Sequence, residues 1–302
     1  MISYCDSHSL DIEKWDACIN RSPSELPYAL SWYLDIASPS WGGLVLNDYE
    51  AVMPLSFHKK YGISYVFRPS GVQQQGIFSS FHITENLVLE FMEALPKKFW
   101  FADVFLNSYN SVSPALKATE QVNLVLSLNS KTEALISGYN QRTKRNIRKG
   151  DKAGLTVFTG GSVEPILKLF IQNQAPKLQL RDDFIPTMSQ LMYVMLHRNK
   201  GEVWAATDET NTVVAGFFLA VHKGRKIFLF SGNNDYGKKI GAMSWLIDQC
   251  IKYNAGSEFL LDFEGSNTSG LGDFYRGFGA EEENYSHVVI NRLPGPLKRL
   301  KR

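Results

Sequence analysis

Hydrophobic and polar positions in the first part of the chain follow a pattern of short helices and strands. Apolar residues at helical spacing predict helices, and short runs rich in β-branched and aromatic residues between turn-forming residues predict strands. Thr84 stands where a helix N-cap is expected, and Pro96 stands where that helix stops. The predicted elements are, in order, helices over 11–20 and 27–37, strands over 41–47, 51–57 and 64–67, a Gln- and Gly-rich loop over 70–80, a helix over 85–95 and a buried strand over 99–106.

The second part repeats this order at a nearly constant offset. Trp41 and Trp204 are 163 residues apart, and His58 and His222 are 164 apart. Such a self-similarity through several elements predicts two similar α/β modules. The repeated elements are strands over 202–208, 213–221 and 226–230, a glycine-rich loop over 231–241, a helix over 242–254 and a buried strand over 258–263.

Between the repeats lies a segment that opens with a predicted strand over 122–128. Ser130, with Glu133 three residues later, has the pattern of a capping box and predicts one basic helix over 131–149. A strand over 155–160, a helix after Ser162, a loop over 177–184 and a helix over 185–198 follow. We therefore predict a first module over 1–130 and a second over 131–302, both mixed α+β with largely antiparallel sheets flanked by helices.

Composition excludes several protein classes. A length of 302 residues suggests about two domains. A hydrophobic share of 44% with 21% charged residues excludes disordered and fibrous chains. Cys5, Cys18 and Cys250 are too few and too scattered for a disulfide scaffold or a zinc site. The longest apolar run, 212–221, is too short to span a membrane, and no signal peptide is visible, so we expect a cytoplasmic protein.

The net charge of +2 hides an uneven distribution. Residues 1–130 carry 8 Lys/Arg and 13 Asp/Glu, whereas residues 131–152 carry 7 and 2. Within the predicted basic helix, Arg142, Arg145 and Arg148 follow one another at spacings of three and lie along one face. Such a face either binds phosphate or carboxylate groups or is simply solvated.

Most catalytic motifs are missing from the sequence. It contains no GxSxG, HExxH, Walker A or GxGxxG pattern, and its six histidines are scattered singly, so we expect no metal. What remains is the predicted loop before the helix over 242–254. Gly237 and Gly241 with Lys238 and Lys239 favour an anion site at the helix N-terminus, although such a loop also occurs as a simple turn.

Several short motifs, in this order, resemble the GNAT acyltransferases and, more closely, their Fem-type (FemABX-like) tandem branch. They are a basic helix, YNQRTKRNIRKGDKAGLTV over 139–157, a Ser-Gly pair at 231–232, Asp-Phe-Glu-Gly over 262–265 and Phe-Tyr-Arg-Gly-Phe-Gly over 274–279. The loop PSGVQQQGIFS in the first half is also similar to this group. The resemblance covers nearly the whole chain and implies two tandem GNAT-like modules.

The resemblance implies an acyl-CoA co-substrate. In GNAT enzymes the pantetheine lies beside the third strand of the meander, and the pyrophosphate lies at the N-terminus of the following helix. The residues that match this site here are Phe230, Ser231, Gly232, Gly237, Lys238, Lys239, Gly241 and Ala242.

The resemblance also implies catalytic roles. Tyr275 stands where the Fem-type branch has a lysine and matches the tyrosine that gives a proton to the CoA thiolate in ordinary GNAT enzymes, which favours acyl-CoA as the donor. Glu264 at a strand end is the candidate base for the acceptor amine. Asp262 is a second candidate, expected to face the other side and to contact substrate with Arg142, Arg145 and Arg148. Tyr275 and Glu264 also have structural alternatives, in core packing and in a loop hydrogen bond.

We therefore expect an N-acyltransferase that moves an acyl group, most simply acetyl, from acyl-CoA to an amine on an anionic nucleotide-sugar or cell-envelope precursor. The second module would be catalytic and the first structural or acceptor-binding. One alternative is an aminoacyl-tRNA-dependent transferase of peptidoglycan type, with tRNA as partner. Another is a non-catalytic binding protein with a degenerate GNAT pair.

Overall fold

A computed structural model describes residues 1–24, 26–265 and 270–295. These residues form two mixed, largely antiparallel sheets with helices, which confirms the predicted α+β class. The strands are β1 (Ile2–Asp6), β2 (Trp41–Leu46), β3 (Ala51–Lys60), β4 (Ile63–Val66), β5 (Phe78–Ser79), β6 (Phe99–Phe105), β7 (Thr119–Gln121), β8 (Asn123–Ser127), β9 (Thr156–Thr159), β10 (Gly201–Thr207), β11 (Val213–His222), β12 (Arg225–Asn233), β13 (Leu260–Gly265), β14 (Glu281–Glu282) and β15 (Tyr285–Asn291).

The helices agree closely with the sequence pattern in several places. Thr84 caps its helix by accepting a hydrogen bond from the backbone N–H of Leu87. The α-helices are α1 (Ile12–Arg21), α2 (Ser31–Ala37), α3 (Glu85–Glu93), α4 (Thr132–Ser137), α5 (Gln141–Lys152), α6 (Glu164–Asn173), α7 (Phe184–His197), α8 (Asp235–Ile240), α9 (Ala242–Asn254) and α10 (Leu271–Arg276). Within the described part of the chain, no helix is both long and apolar enough to cross a membrane.

The two sheets share one strand order. The first runs β1-β2-β3-β4-β6-β15-β7, with β5 attached to β3, and the second runs β9-β10-β11-β12-β13-β8-β14. In each, an antiparallel three-strand meander is followed by a helix and a strand that pairs in parallel with the meander's third strand. The repeat seen in the sequence therefore corresponds to two sheets with the same strand topology.

The division of the chain differs from the predicted boundary at 130. One compact unit comprises Met1–Gln121 and the segment that starts at Asn284, and the other comprises Val122–Glu283. The cause is an exchange of strands: β8 pairs with β13 in the second sheet, and β15 pairs with β6 in the first. Strand pairing between segments so far apart leaves no local mark on the sequence pattern.

The predicted single helix over 131–149 is two helices, α4 and α5. Gly138 ends α4, and Asn140 caps α5 by accepting a hydrogen bond from the backbone N–H of Thr143 at 2.8 Å. Lys131, rather than Ser130, is the N-cap of α4. Because Asn favours N-caps over helix interiors, the helix is interrupted at 138–140, and all the basic residues of the segment except Lys131 belong to α5.

In the first unit, the Gln-rich loop packs where β4 and β6 stop pairing. Their parallel register ends at Val66 and Ala102, and beyond it the backbone N–H of Gln75 donates to the carbonyl of Phe105 at 2.8 Å. Asn107 holds the loop by donating to the carbonyl of Gln75 at 2.7 Å. The remaining cavity is about 10 Å³, room for about one water. The loop therefore fills this opening in the first unit.

His222, at the end of β11, is 3% exposed, and neither ring nitrogen has a hydrogen-bond partner among the residues that the structure describes. Burial, with smaller contributions from Lys200 and Lys223, lowers the pKa of His222 from 6.5 to about 4. The folded state therefore keeps this imidazole neutral in a pH range where the unfolded chain protonates it.

We expect the free energy of unfolding to fall as the pH is lowered from 6.5 to 4, by about 3 kcal/mol in total. The sign follows because the unfolded chain binds more protons than the folded chain between these two pKa values. Urea unfolding of the parent and of His222→Leu at pH 7 and pH 4.5 measures the effect. An equal loss in both proteins would assign acid sensitivity to other groups.

Candidate functional site

A groove of about 310 Å³ in the second unit lies against the end of β12. The parallel register of β12 with β13 runs only from Arg225–Leu260 to Ile227–Asp262, although β12 continues to Asn233. The last part of β12 therefore has no partner in β13, and helices border it instead. The groove is lined by Arg142, Asn146, Gln174, Phe228, Ser231, Asn233, Gly237, Lys238, Gly241, Met243, Ser244, Leu271, Phe274 and Tyr275.

A β-bulge sits in β12 beside this groove. The register with β11 pairs Leu219 with Phe228 and Phe218 with Phe230, so it skips Leu229. A bulge changes the alternation of side chains along its strand. Phe228 and Ser231 both line the groove as a result, although they are three residues apart.

Four of the eight predicted cofactor-binding residues lie outside the groove, and two of them, Phe230 and Gly232, contact α6. Phe230 packs against Phe170 of α6 with ring centroids 4.7 Å apart. A Cβ atom added to Gly232 would come within 2.6 Å of the carbonyl oxygen of Ile166, also on α6. Both residues therefore face α6, and Ser231 and Asn233 are the members of this segment that line the groove.

The predicted glycine-rich loop is mostly regular structure. β12 extends to Asn233, and Asn234 caps the short helix α8 by accepting from the backbone N–H of Gly237. Lys238 lines the groove and forms an ion pair with Asp235 at 2.9 Å, whereas Lys239 and the buried Ala242 do not line it. The loop prediction is wrong because glycine here is required by packing.

Both glycines of this segment allow close contacts between backbones. A Cβ atom on Gly237 would lie 2.4 Å from the carbonyl oxygen of Val214 on β11. Gly241 has φ of 72° between α8 and α9, and a Cβ atom there would lie 2.5 Å from the carbonyl oxygen of Asn146 on α5. Gly241 thus brings α5 and the start of α9 together at the groove.

We expect Gly241→Ala to destabilise the second unit by about 1–3 kcal/mol more than Gly256→Ala. Gly256 has a similar φ of 78° but open space around a Cβ atom, so it controls for backbone strain alone. Urea unfolding of the two variants gives the difference. Equal losses would show that the contact with α5 contributes nothing.

One end of the groove suits an anion. The first N–H groups of an α-helix lack intrahelical acceptors, and the start of α9 contributes Met243 and Ser244 to the groove next to Gly241. Arg142 and Lys238 place two cationic side chains at the same groove. A ligand with phosphate groups fits this combination of donors.

The other end is aromatic, with Tyr275 in its wall. The Tyr275 ring stacks on Phe263 with centroids 4.6 Å apart and meets Phe228 edge-on at 5.9 Å. Burial, and then the charge of Glu264, raise the pKa of the Tyr275 hydroxyl. Tyr275 lines the groove, and its hydroxyl is protonated at neutral pH.

Glu264 lies in a bulge of β13. The register with β8 passes from Asp262–Val125 directly to Gly265–Asn123, and Glu264 has φ of 59° in the left-handed region. Strained backbone of this kind persists where surrounding contacts hold it, and it occurs often at functional sites. Glu264 is half-buried and close enough to Tyr275 to raise its pKa.

Asp262 has a different environment from Glu264. It is completely buried, and the guanidinium of Arg225 donates to its Oδ2 at 2.6 Å. Its Oδ1 accepts a hydrogen bond from the backbone N–H of Glu264 at 2.8 Å. Arg225 also forms a bidentate pair with Glu283. Asp262 therefore holds the bulge, and neither Asp262 nor Glu264 is among the residues that line the groove.

The solvent face of α5 is basic along its length. Its buried residues are Thr143, Ile147 and Gly150, and the cations lie away from them. Arg142 lines the groove, but Arg145 and Arg148 do not. The exposed cations are Arg142, Arg145, Arg148, Lys149 and Lys152, and Lys144 is half-buried.

These cations are not neutralised by neighbouring carboxylates. Across residues 1–24, 26–265 and 270–295, none of them forms an ion pair. The one acidic residue of α5, Asp151, accepts a hydrogen bond from the indole of Trp245 instead. Six pairs of like charges stand three or four residues apart and disfavour the helix by about 1–3 kcal/mol in total at low salt.

Sequence reasoning missed part of the groove. Asn146 stands four residues after Arg142 on the same helix, and Asn233 stands two residues after Ser231 on the same strand. Both spacings place side chains on one face, so the pattern contained this signal. Gln174, Met243, Ser244, Leu271 and Phe274 join the groove through tertiary packing, which no local spacing indicates.

Solved structures with the same architecture span nearly the whole chain. A crystal structure of FemX matches with a TM-score of 0.66 at 12% identity, covering 97% of this chain and 98% of that chain. L-PGS from Bacillus licheniformis matches with a TM-score of 0.55 at 11% identity, covering 96% and 94%. A tandem GNAT protein from the clavulanic acid biosynthesis pathway, solved without AcCoA, matches with a TM-score of 0.55 at 9% identity, covering 98% and 100%.

These likenesses confirm the Fem-type tandem GNAT fold that the motifs predicted. No protein-family model matches the chain, and no curated protein matches it in sequence. At 9–12% identity the likeness concerns the fold alone.

Proposed function

We propose that this protein is an N-acyltransferase that transfers an acyl group, most simply acetyl, from acyl-CoA to an amine. One observation carries the proposal: the groove at the unpaired end of β12 is lined both by the start of α9 and by Tyr275, whose hydroxyl is protonated. A thioester whose carrier bears phosphate groups needs both an anion site for the phosphates and a proton donor for the thiolate. The likeness of the fold to a tandem GNAT protein supports this assignment.

Each group at the site has a separate role in the proposed acyl transfer. The amine nitrogen attacks the thioester carbon, whose oxygen is polarised by backbone N–H groups of the bulged segment 228–231. The C–S bond breaks, and Tyr275 gives its proton to the departing thiolate. Glu264 takes the proton that the amine loses, directly or through water. A raised pKa keeps Tyr275 in the proton-bearing form that this step requires.

The donor's phosphates pair with the polar end of the groove. The N-terminus of α9, Arg142 and Lys238 hold the diphosphate. In the first unit the Gln-rich loop occupies the opening between β4 and β6, which supports one acyl-CoA per chain. A structural or acceptor-binding role remains for the first unit. The cations Arg142 and Lys238 at the groove of the second unit fit an acceptor such as an anionic nucleotide-sugar or cell-envelope precursor.

A second candidate is transfer from an aminoacyl-tRNA to a cell-envelope acceptor. It is favoured by the likeness of the fold to FemX. Tyr275 argues against an aminoacyl-tRNA donor, because it replaces the lysine of the Fem-type motif and can give a proton to a thiolate. The basic face of α5 is compatible with either donor.

Calorimetric titration with CoA and acetyl-CoA tests the proposal. We expect one site per chain and an approximately tenfold weaker affinity in Arg142→Ala, since a charge-assisted phosphate contact is lost. Lys131→Ala, which removes an exposed cation outside the groove, is the matched control. A panel of amines with acetyl-CoA then identifies the acceptor class. Salt-sensitive binding of tRNA without any binding of CoA would instead assign the second candidate.

A further inference from the structure

We propose that the basic face of α5 is the docking surface for an acidic acyl carrier protein, which delivers its phosphopantetheine thioester into the groove. The basic face comprises Arg142, Arg145, Arg148, Lys149 and Lys152. The inference rests on the proposed function, because the groove has to accept a pantetheine thioester. It adds a macromolecular donor and assigns a role to the cations that lie outside the groove.

The geometry connects this surface to the groove. Arg142 belongs to both, since it lines the groove and begins the basic face. From Arg142 to Lys152 the face extends for ten residues, about 15 Å at the helical rise. A small ligand in the groove reaches only the Arg142 end. The remaining cations lie outside the groove, where they can contact an anionic surface whose thioester lies inside.

The charges themselves favour a bound anionic partner. The basic face carries like charges at helical neighbour spacing, and the only carboxylate of α5 is engaged with Trp245. Repulsion of this kind disfavours the free helix and is relieved when negative charges dock on it. Electrostatic complementarity of this type also speeds the encounter of two proteins.

The distribution of charge favours a protein over a nucleic acid. Residues 122–283 carry 19 Lys/Arg and 17 Asp/Glu, and without α5 they carry 13 and 16, so the positive charge of the second unit is concentrated on α5. Nucleic-acid-binding domains are broadly basic and place aromatic side chains where bases stack, and α5 contains no aromatic residue.

The transfer step is the same with either donor. The amine nitrogen forms a bond to the acyl carbon as the bond from that carbon to the pantetheine sulfur breaks. The carrier protein's thiolate leaves with the proton from Tyr275, Glu264 takes the proton that the amine loses, and proton exchange with water returns both side chains to their starting forms. No further reactant is required.

Charge reversal on α5 tests this surface. The double variant Arg145→Glu/Arg148→Glu changes two exposed residues that do not line the groove. The control Lys131→Glu/Lys168→Glu alters net charge equally on α4 and α6. Each protein is assayed with acetyl-CoA and with a purified bacterial acyl carrier protein loaded with an acetyl group, at low and high salt. Fluorescence anisotropy with the labelled apo carrier protein measures docking without turnover.

We expect the α5 variant to lose at least 30-fold in kcat/KM with the acyl carrier protein and less than twofold with acetyl-CoA. The control should lose little with either donor. Transfer from acetyl-CoA with no docking of the carrier protein would overturn the inference and leave the proposed function intact. Binding of tRNA that the α5 reversal abolishes, without any binding of the carrier protein, would also overturn the inference. Docking without transfer from either thioester would sustain the surface and overturn the proposed reaction.

Discussion

Replacement of Tyr275 by phenylalanine is expected to lower kcat for acyl transfer by about 10²–10⁴ and to leave CoA affinity within about twofold. The substitution removes only the hydroxyl, and the ring keeps its stacking on Phe263. Without a proton donor the thiolate leaves as a free anion. Because burial raises the pKa of Tyr275 above its ordinary value near 10, any loss of kcat from tyrosine ionisation should begin at a higher pH than it would for an exposed tyrosine.

Tyr139→Phe is the matched control. Tyr139 is 3% exposed, packs edge-on against Phe278 at 5.4 Å and does not line the groove. Pre-steady-state and steady-state rates with acetyl-CoA, together with calorimetric CoA affinities, compare the two variants. Full activity in Tyr275→Phe would leave Tyr275 a packing residue, and equal losses in both variants would indicate a general effect on the core.

The repeated architecture could be predicted because local sequence patterns determine its helices and strands. The helix expected over 242–254 is found as Ala242–Asn254, and each predicted meander strand is present with small changes at its ends. Alternation, turn residues and caps act over a few residues, and a repeat doubles the signal. The exchange of β8 and β15 was not predictable in this way, since their partners are far away in the chain.

Two local predictions failed for related reasons. The break at Gly138 and Asn140 lies in a run of poor helix formers, Ser-Gly-Tyr-Asn, and the side chain of Asn140 fixes the start of α5. In α8, Gly237 and Gly241 suggested a loop, but contacts with Val214 and Asn146 require glycine there. Glycine marks close approach of backbones as often as it marks a turn.

Some residues that line the groove could be named from the sequence, but the detailed lining could not. Arg142, Ser231 and Tyr275 lie together in the groove, as the resemblance implied. Phe230 and Gly232 do not, because the bulge at Leu229 sets which face each residue takes. A bulge depends on the register of two strands, so it cannot be inferred from one of them.

The separation of Asp262 from Glu264 likewise depends on distant partners. Arg225 lies 37 residues before Asp262 and binds it in the interior, together with Glu283. The backbone N–H of Glu264 then turns towards Asp262, and the bulge gives Glu264 its left-handed conformation. Complete burial raises the pKa of Asp262, and the charge of Arg225 opposes that rise. Residue type alone could not assign these two carboxylates to different environments.

Removal of the Asp262 carboxylate should therefore have the largest effect on stability. We expect Asp262→Ala to lower the free energy of unfolding by about 3–5 kcal/mol, because Arg225, with its side chain 3% exposed, loses a buried partner. Asp248→Ala is the matched control: Asp248 is equally buried, but its partner Lys252 is 39% exposed and can return to water. Its loss should be clearly smaller.

A double variant separates the ion pair from the bulge. Arg225→Met/Asp262→Leu removes both buried charges, so much of the stability should return, as buried pairs replaced by apolar residues often cost little. The bulge at Glu264 loses its acceptor in this variant, and kcat should stay low while CoA affinity is kept, since Glu264 is no longer held beside Tyr275. Urea unfolding and steady-state kinetics measure the two effects. Recovery of kcat along with stability would show that Asp262 contributes only to folding.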